Sequence, residues 1–207
     1  MIITISSNLF AAVALFRGVK NLRSYLNGVY LETGPYGARL VATDGHTLGV
    51  GRIAGSFPVS SVIIPELLVK LVKSGGRNAS HLDLEFDETP PVFQPRTVTL
   101  RTYDNTMSAP EVEGKFPDWR RVCPSTPASG ESGQFAHGYL VRCDRANVIM
   151  DTGTFAAIAH DGPSNPARCN LGDDMFAVIM PMRNPPDLTP PAWMRDNLVP
   201  RDSEGTS

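Results

Sequence analysis

The sequence predicts an α+β fold assembled from repeated units, each a helix followed by about three strands, and three observations predict it. Apolar residues recur at helical spacing in three separate stretches. Alternating or β-branched runs follow each stretch, and turn dipeptides punctuate the runs. The 207 residues leave room for one large domain or two small ones, and a hydrophobic content of 42% can supply a core.

Residues 2–5 read as a short strand. Ser6, Ser7 and Asn8 then offer capping side chains to a helix predicted over 9–21, with Phe10, Val13 and Ala14 on one face. Strands are predicted over 25–33, 39–43 and 47–53, separated by turns at 34–37 and at Asp44-Gly45. The order then restarts. Residues 59–64 are rich in β-branched side chains, and Pro65 suits a helix start because its missing N–H costs nothing there. The helix 66–74 has Leu67, Leu68, Leu71 and Val72 as its apolar face, and Gly75-Gly76 end it.

Residues 81–87 alternate, with Leu82, Leu84 and Phe86 on one side and Asp83, Glu85 and Asp87 on the other. Strands 97–103 and 106–111 make a hairpin through Asp104-Asn105. Residues 125–133 have linker composition. A third unit follows, with a helix over 139–150 and strands over 154–160, 167–171 and 175–180. Residues 184–207 carry five prolines and little periodicity, the composition of a disordered tail. Element order alone leaves an ordinary α+β domain without a repeat equally open.

Composition narrows the function. The net charge is −2 and the pI about 6.1, so any nucleic-acid contact must come from locally gathered basic residues. Cys123, Cys143 and Cys169 lie far apart with no CxxC spacing, and the histidines (His46, His81, His137, His160) share no ligand pattern. No metal site and no cofactor are expected, and free thiols fit a reducing cytoplasm. The apolar start is too short to span a membrane and lacks a signal-peptide pattern. Asn78-Ala79-Ser80 matches a glycosylation acceptor that a cytoplasmic chain would not use. Asp44-Gly45-His46 pairs an acid with a base, but no nucleophile motif or phosphate-cradling loop accompanies it, so the chain is expected not to be an enzyme.

Lys70 and Lys73 are three apart, as are Arg142 and Arg145, so each pair shares a helical face. Arg17, Lys20, Arg23 and Arg77 add charge at or just beyond helix ends. Spacing alone reads equally well as ordinary solvated charge.

Four segments carry a resemblance. Residues 23–29 (RSYLNGV), 41–48 (VATDGHTL), 114–122 (GKFPDWRRV) and 178–183 (VIMPMR) resemble, in order, parts of the bacterial β sliding clamp of DNA polymerase III. The first three look like that family's middle domain and the fourth like the end of its last. The resemblance covers roughly residues 1–183. It implies a clamp domain at 1–124, a linker at 125–133, a half-domain at 134–183 and a tail at 184–207. The family's first domain, and the first half of its last, are expected to be absent. Thr47 stands where the family usually has an arginine, and Asn184 replaces the terminal leucine.

The family's fold is a ring with helices lining the hole and sheets outside. The resemblance therefore aims Arg17, Lys20, Arg23, Lys70, Lys73, Arg77, Arg142 and Arg145 at the backbone of double-stranded DNA, without sequence readout. It also implies a pocket for short peptides of DNA polymerases and repair proteins. The matching positions are Arg23, Leu26, Thr43, Gly45, His46, Leu48, Pro117, Arg121, Val122 and Tyr139, with Val178, Met180, Pro181, Met182 and Arg183. Elsewhere Met180 and Met182 would read as ordinary core residues; here, adaptable methionines suit a surface with several partners. A clamp loader and a cytoplasmic, nucleoid-associated location are implied as well. A family ring has twelve helix-and-strand units and this chain offers three (1–53, 59–124 and about 134–183), so a homo-oligomeric ring of four chains is the expectation. A clamp-like peptide-binding module that never encircles DNA, and competes with a full-length clamp for partners, is the alternative.

Overall fold

Strands form here where one face of an alternating run can be buried, and helices where apolar residues recur every three to four positions. The computed structural model describes residues 1–72, 81–89, 94–124, 132–183 and 189. The first unit is β1 (Ile2–Ser6), α1 (Ser7–Ala14), β2 (Val29–Gly34), β3 (Gly37–Thr43) and β4 (Thr47–Ile53). The second is β5 (Ser60–Ile64), α2 (Glu66–Val69), β6 (His81–Phe86), β7 (Thr97–Arg101) and β8 (Thr106–Pro110). The third is α3 (His137–Met150), β9 (Ile158–Ala159), β10 (Ala167–Asn170) and β11 (Met175–Ile179).

The strands form two antiparallel sheets. One has four strands in the order β1-β6-β7-β8, the other seven in the order β5-β2-β3-β4-β11-β10-β9. The first strand of each of the first two units crosses into the other unit's sheet: Ile3 of β1 faces Leu84 of β6, and Val62 of β5 faces Leu31 of β2. The third unit joins through β11, which pairs with β4 so that Leu48 faces Val178 and Thr47 faces Ile179. That seam positions the site described below.

The main core lies between the sheets and helices. It includes Ile3, Ile5, Phe10, Val13, Phe16, Leu31, Leu40, Leu68, Leu84 and Leu100, all buried. α1 is buried on almost every side because it packs on β3, β4 and α3. β4 makes room for it with glycine. A Cβ at Gly49 would stand 2.5 Å from Phe16 Cδ2, and one at Gly51 would stand 2.8 Å from Leu9 Cδ1. A second cluster covers the opposite face of the seven-stranded sheet, where Leu26, Val41, Leu48, Val50, Ile63 and Val178 pack against Phe116.

Several elements differ from expectation. α1 ends at Ala14 rather than 21, because a side-chain network closes the following loop. Gly18 N–H donates to the Leu26 carbonyl (2.7 Å), Asn21 N–H to Asn27 Oδ1 (2.9 Å), and Asn27 Nδ2 to the Asn21 carbonyl (2.9 Å). Residues 24–26 are therefore a 3-10 turn where the strand 25–33 was expected to begin. In α2, Leu67 is exposed and Val69 takes its place in the core. Pro65 is the N-cap of α2, not its first helical residue. The strand expected over 154–160 shrinks to Ile158–Ala159, because Asn147 Nδ2 holds the Thr154 carbonyl at 2.6 Å and Gly153 turns with positive φ.

The alternation at 81–87 holds: Leu82, Leu84 and Phe86 are buried. The expected Gly75-Gly76 helix stop, the Asn78 acceptor pattern, most of the linker and the tail from 184 lie outside the described residues, apart from Thr189. Among the described residues, no helix is long and apolar enough to cross a membrane.

Candidate functional site

The site is built on the turn joining β3 to β4, beside the β4–β11 seam. Gly45 takes φ +96°, open to glycine at little cost, and lets the chain reverse tightly. Asp44 locks the reversal: its Oδ1 accepts from His46 N–H (2.9 Å), Thr47 N–H (2.7 Å) and the Thr47 hydroxyl (3.0 Å). Thr43 Oγ1 donates to the Thr47 carbonyl at 2.7 Å and accepts from Gly45 N–H at 3.0 Å. The His46 carbonyl accepts from Met180 N–H at 3.0 Å, which ties the turn to the end of β11.

A segment after β8 supplies the opposite wall by crossing the outer face of the sheet. Val112 N–H donates to the Ile63 carbonyl at 3.0 Å, and Phe116 stacks on Tyr30 with ring centroids 4.6 Å apart. The 3-10 turn Trp119–Val122 follows, anchored by the Arg120–Glu32 ion pair, with the Arg120 guanidinium 4.3 Å from the Trp119 ring centroid.

Two adjoining cavities result. The smaller, about 230 Å³, is lined by Arg23, Leu26, Thr43, Gly45, His46, Thr47, Leu48, Pro117, Asp118, Trp119, Val122, Val178 and Met180. The larger, about 800 Å³, is lined by Gly45, His46, Ala136, Tyr139, Ser164, Met180, Pro181, Met182 and Arg183. Gly45, His46 and Met180 border both, so the turn is the partition. An apolar floor with a few polar groups at its rim suits a short peptide carrying apolar anchors.

The structure thus brings fourteen of the fifteen expected pocket residues to these two cavities; Arg121 is the exception. It is exposed and lines a third depression with Asp161 and Pro166, which meets the smaller cavity only at Val122. Thr47, Asp118, Trp119, Ala136 and Ser164 also line the cavities and were not among the expected fifteen. Trp119 lay inside the string 114–122 and was detectable as its largest apolar side chain, whereas Ala136 and Ser164 leave no sequence signal.

Several of the expected DNA-facing residues are engaged with other side chains. Arg142 does not project freely from α3: its Nη1 donates to Asp44 Oδ2 at 2.6 Å and also to Thr47 Oγ1. Arg23 lies over Gly45 in the smaller cavity. Arg17 and Lys70 share one carboxylate, that of Glu66, at 3.7 and 3.0 Å. Lys20 and Arg145 are exposed, while Lys73 and Arg77 lie outside the described residues.

Electrostatics follow these contacts. Burial alone would push the Asp44 carboxyl up, but hydrogen bonds from Arg142, His46 and Thr47, with the Arg142 charge, hold it below the ordinary carboxylate value. The hydrogen bond from Lys70 is the main cause of the lowered Glu66 value. A hydrogen bond to Cys169, then burial, pushes the Cys143 thiol up, leaving it an inert core group between α3 and β10. Among the described residues, no cluster of His, Cys, Asp or Glu could hold a metal ion.

The comparisons with known proteins agree with this architecture. No protein-family model matches the chain. It is 34% identical over 167 residues to the β sliding clamp of Proteus mirabilis, covering 77% of this chain and 40% of that one. It is also 34% identical over 113 residues to the β sliding clamp of Salmonella typhimurium strain LT2, covering 52% of this chain and 28% of that one. The crystal structure of the DNA polymerase III subunit beta from Pseudomonas aeruginosa superposes with a TM-score of 0.63 at 19% identity, over 89% of this chain and 67% of that one. The fold is therefore that of a DNA sliding clamp. Within that class, the chain is a relative of the bacterial β sliding clamps, and it spans less than half the length of these curated relatives.

Proposed function

We propose that this chain works as a DNA sliding clamp, a subunit of a ring that encloses duplex DNA and holds short peptide motifs of polymerases and repair proteins in the paired cavities. One observation carries the reading. Four segments spread from residue 23 to residue 183 converge on a single partitioned groove at the β4–β11 seam. The names borne by the curated relatives support the same role. In this reading residues 1–124 act as one clamp domain and 134–183 as a half-domain. Four chains close the ring, which a clamp loader opens on the nucleoid in the cytoplasm.

Fluorescence polarisation with a labelled peptide that carries a glutamine and ends in Leu-Phe tests the peptide site. Micromolar-scale affinity, about −8 kcal/mol, is expected. No binding at roughly a hundred times that concentration overturns it. Light scattering tests the ring: a mass near four times 22.4 kDa supports it.

A second reading, a peptide-binding module that does not enclose DNA, is favoured by the pairing of Arg17, Lys70 and Arg142 with carboxylates. A monomer at micromolar concentration, with peptide binding intact, decides for that module.

A further inference from the structure

Arg142 borders neither cavity, yet it grips the turn that divides them. Its guanidinium reaches across 98 residues of chain to Asp44 Oδ2 at 2.6 Å and also contacts Thr47 Oγ1. Asp44 Oδ1 is meanwhile occupied by the turn's own donors, His46 N–H, Thr47 N–H and the Thr47 hydroxyl. One helical turn earlier on α3, Tyr139 stacks on the His46 ring, with centroids 6.1 Å apart and planes inclined by 13°. Residues 139 and 142 are three apart and so share a helix face. That face holds the turn at two points, one ionic and one aromatic.

The ionic point is not an ordinary surface pair. The side chains of Arg142 and Asp44 are only 26% and 18% exposed, so solvent screens their attraction poorly and deleting either leaves a half-buried charge without its partner. Both contacts run through one nitrogen, Nη1, which bridges the Asp44 carboxylate and the Thr47 hydroxyl, so a lysine ammonium could keep part of the hold.

We propose that Arg142 is a positioning residue for the peptide site: it holds the Asp44–Thr47 turn so that Gly45 and His46 stand as the partition between the two cavities. The proposal rests on the peptide-site reading above. Without the guanidinium, the turn would have to be ordered when the peptide arrives. Affinity would fall by the fraction of molecules holding the partition in place.

The test uses the full chain, the labelled Gln…Leu-Phe peptide, and the proton signals of the His46 ring, whose shifts report stacking on Tyr139. Arg142→Ala is expected to weaken binding about five- to tenfold and to move the His46 signals. Arg142→Lys should lie between it and the parent chain. Asp44→Asn should weaken binding by a similar factor, and the double variant no further, because both act through one contact. Arg142→Lys with Asp44→Asn carries the same comparison if the alanine variant fails to fold. Binding within twofold of the parent with unmoved His46 signals overturns the proposal, and so does full additivity of the two single changes. If the parent chain binds no peptide, the peptide-site reading falls by itself. The His46 signals of Arg142→Ala then still decide whether Arg142 fixes the turn.

Discussion

The two faces of the molecule treat predicted residues in opposite ways. On the outer face of the seven-stranded sheet, side chains from β3, β4, β11 and the 112–122 segment meet around one turn. On the helix face, the cations expected to act together are drawn to carboxylates instead: Arg17 and Lys70 to Glu66, Arg142 to Asp44. The difference teaches what each kind of signal contains. A string such as residues 41–48 encodes a local shape and carries its own hydrogen-bond partners along the chain. Charge spacing on a helix says only which side chains share a face, and another element decides what that face meets.

The contrast is broken most strongly from the site side. Leu48 is 3% exposed and faces Val178 across the seam, so Leu48→Ala should cost about 2–5 kcal/mol of folding stability as well as peptide affinity. Met182→Ala, at the half-buried rim, should weaken the peptide by at least ~1 kcal/mol and leave stability nearly unchanged. Denaturant unfolding beside polarisation titrations separates the two; equal stability losses would show that the seam does not set the core of the site.

On the helix face the expected effect is smaller. Lys70→Glu exchanges an exposed attraction for a repulsion four residues from Glu66, so stability should fall by no more than about 0.5–1 kcal/mol. If this face meets DNA, Lys70→Glu and Arg145→Glu should each weaken association alike for all sequences. Each should also reduce the slope of log affinity against log salt by about one. Unchanged salt slopes in both variants would assign the face to ordinary solvation.

Acid provides the finest comparison. Asp44 has a folded pKa held below its unfolded value, so its contribution to stability is present above that unfolded value and is lost as pH falls through the folded one. The window lies below about pH 4. Asp44→Asn should therefore flatten the loss of stability measured between about pH 4 and pH 2. Glu66→Gln, whose main partner Lys70 is far more exposed than Arg142, should flatten it less. A larger effect at Glu66 would reverse the ranking of the two faces.

Much of the architecture was legible from residues alone. The strand Thr47–Ile53 was predicted end to end, and the alternation of Leu82, Leu84 and Phe86 placed β6 correctly. These are properties of period and neighbouring turns. What was not legible depends on distance along the chain. The pairing of β4 with β11 joins residues more than 120 positions apart, and neither strand's pattern names its partner. The end of α1 was hidden because its loop is closed by Asn21 and Asn27, whose amides form a reciprocal pair that no helical periodicity records. Arg142 was read correctly as a helix-face cation and wrongly as a free one, since Asp44 lies 98 residues away.

The β4–β11 seam has one more consequence. The groove floor is made of two strands more than 120 residues apart along the chain, with Leu48 from one and Val178 from the other. Neither strand alone lines the whole groove. A guest seated there would press on both strands at once and act as a rivet, harder to remove the more firmly the two halves are joined. Its grip would then gauge, from outside, whether these two distant strands are still together.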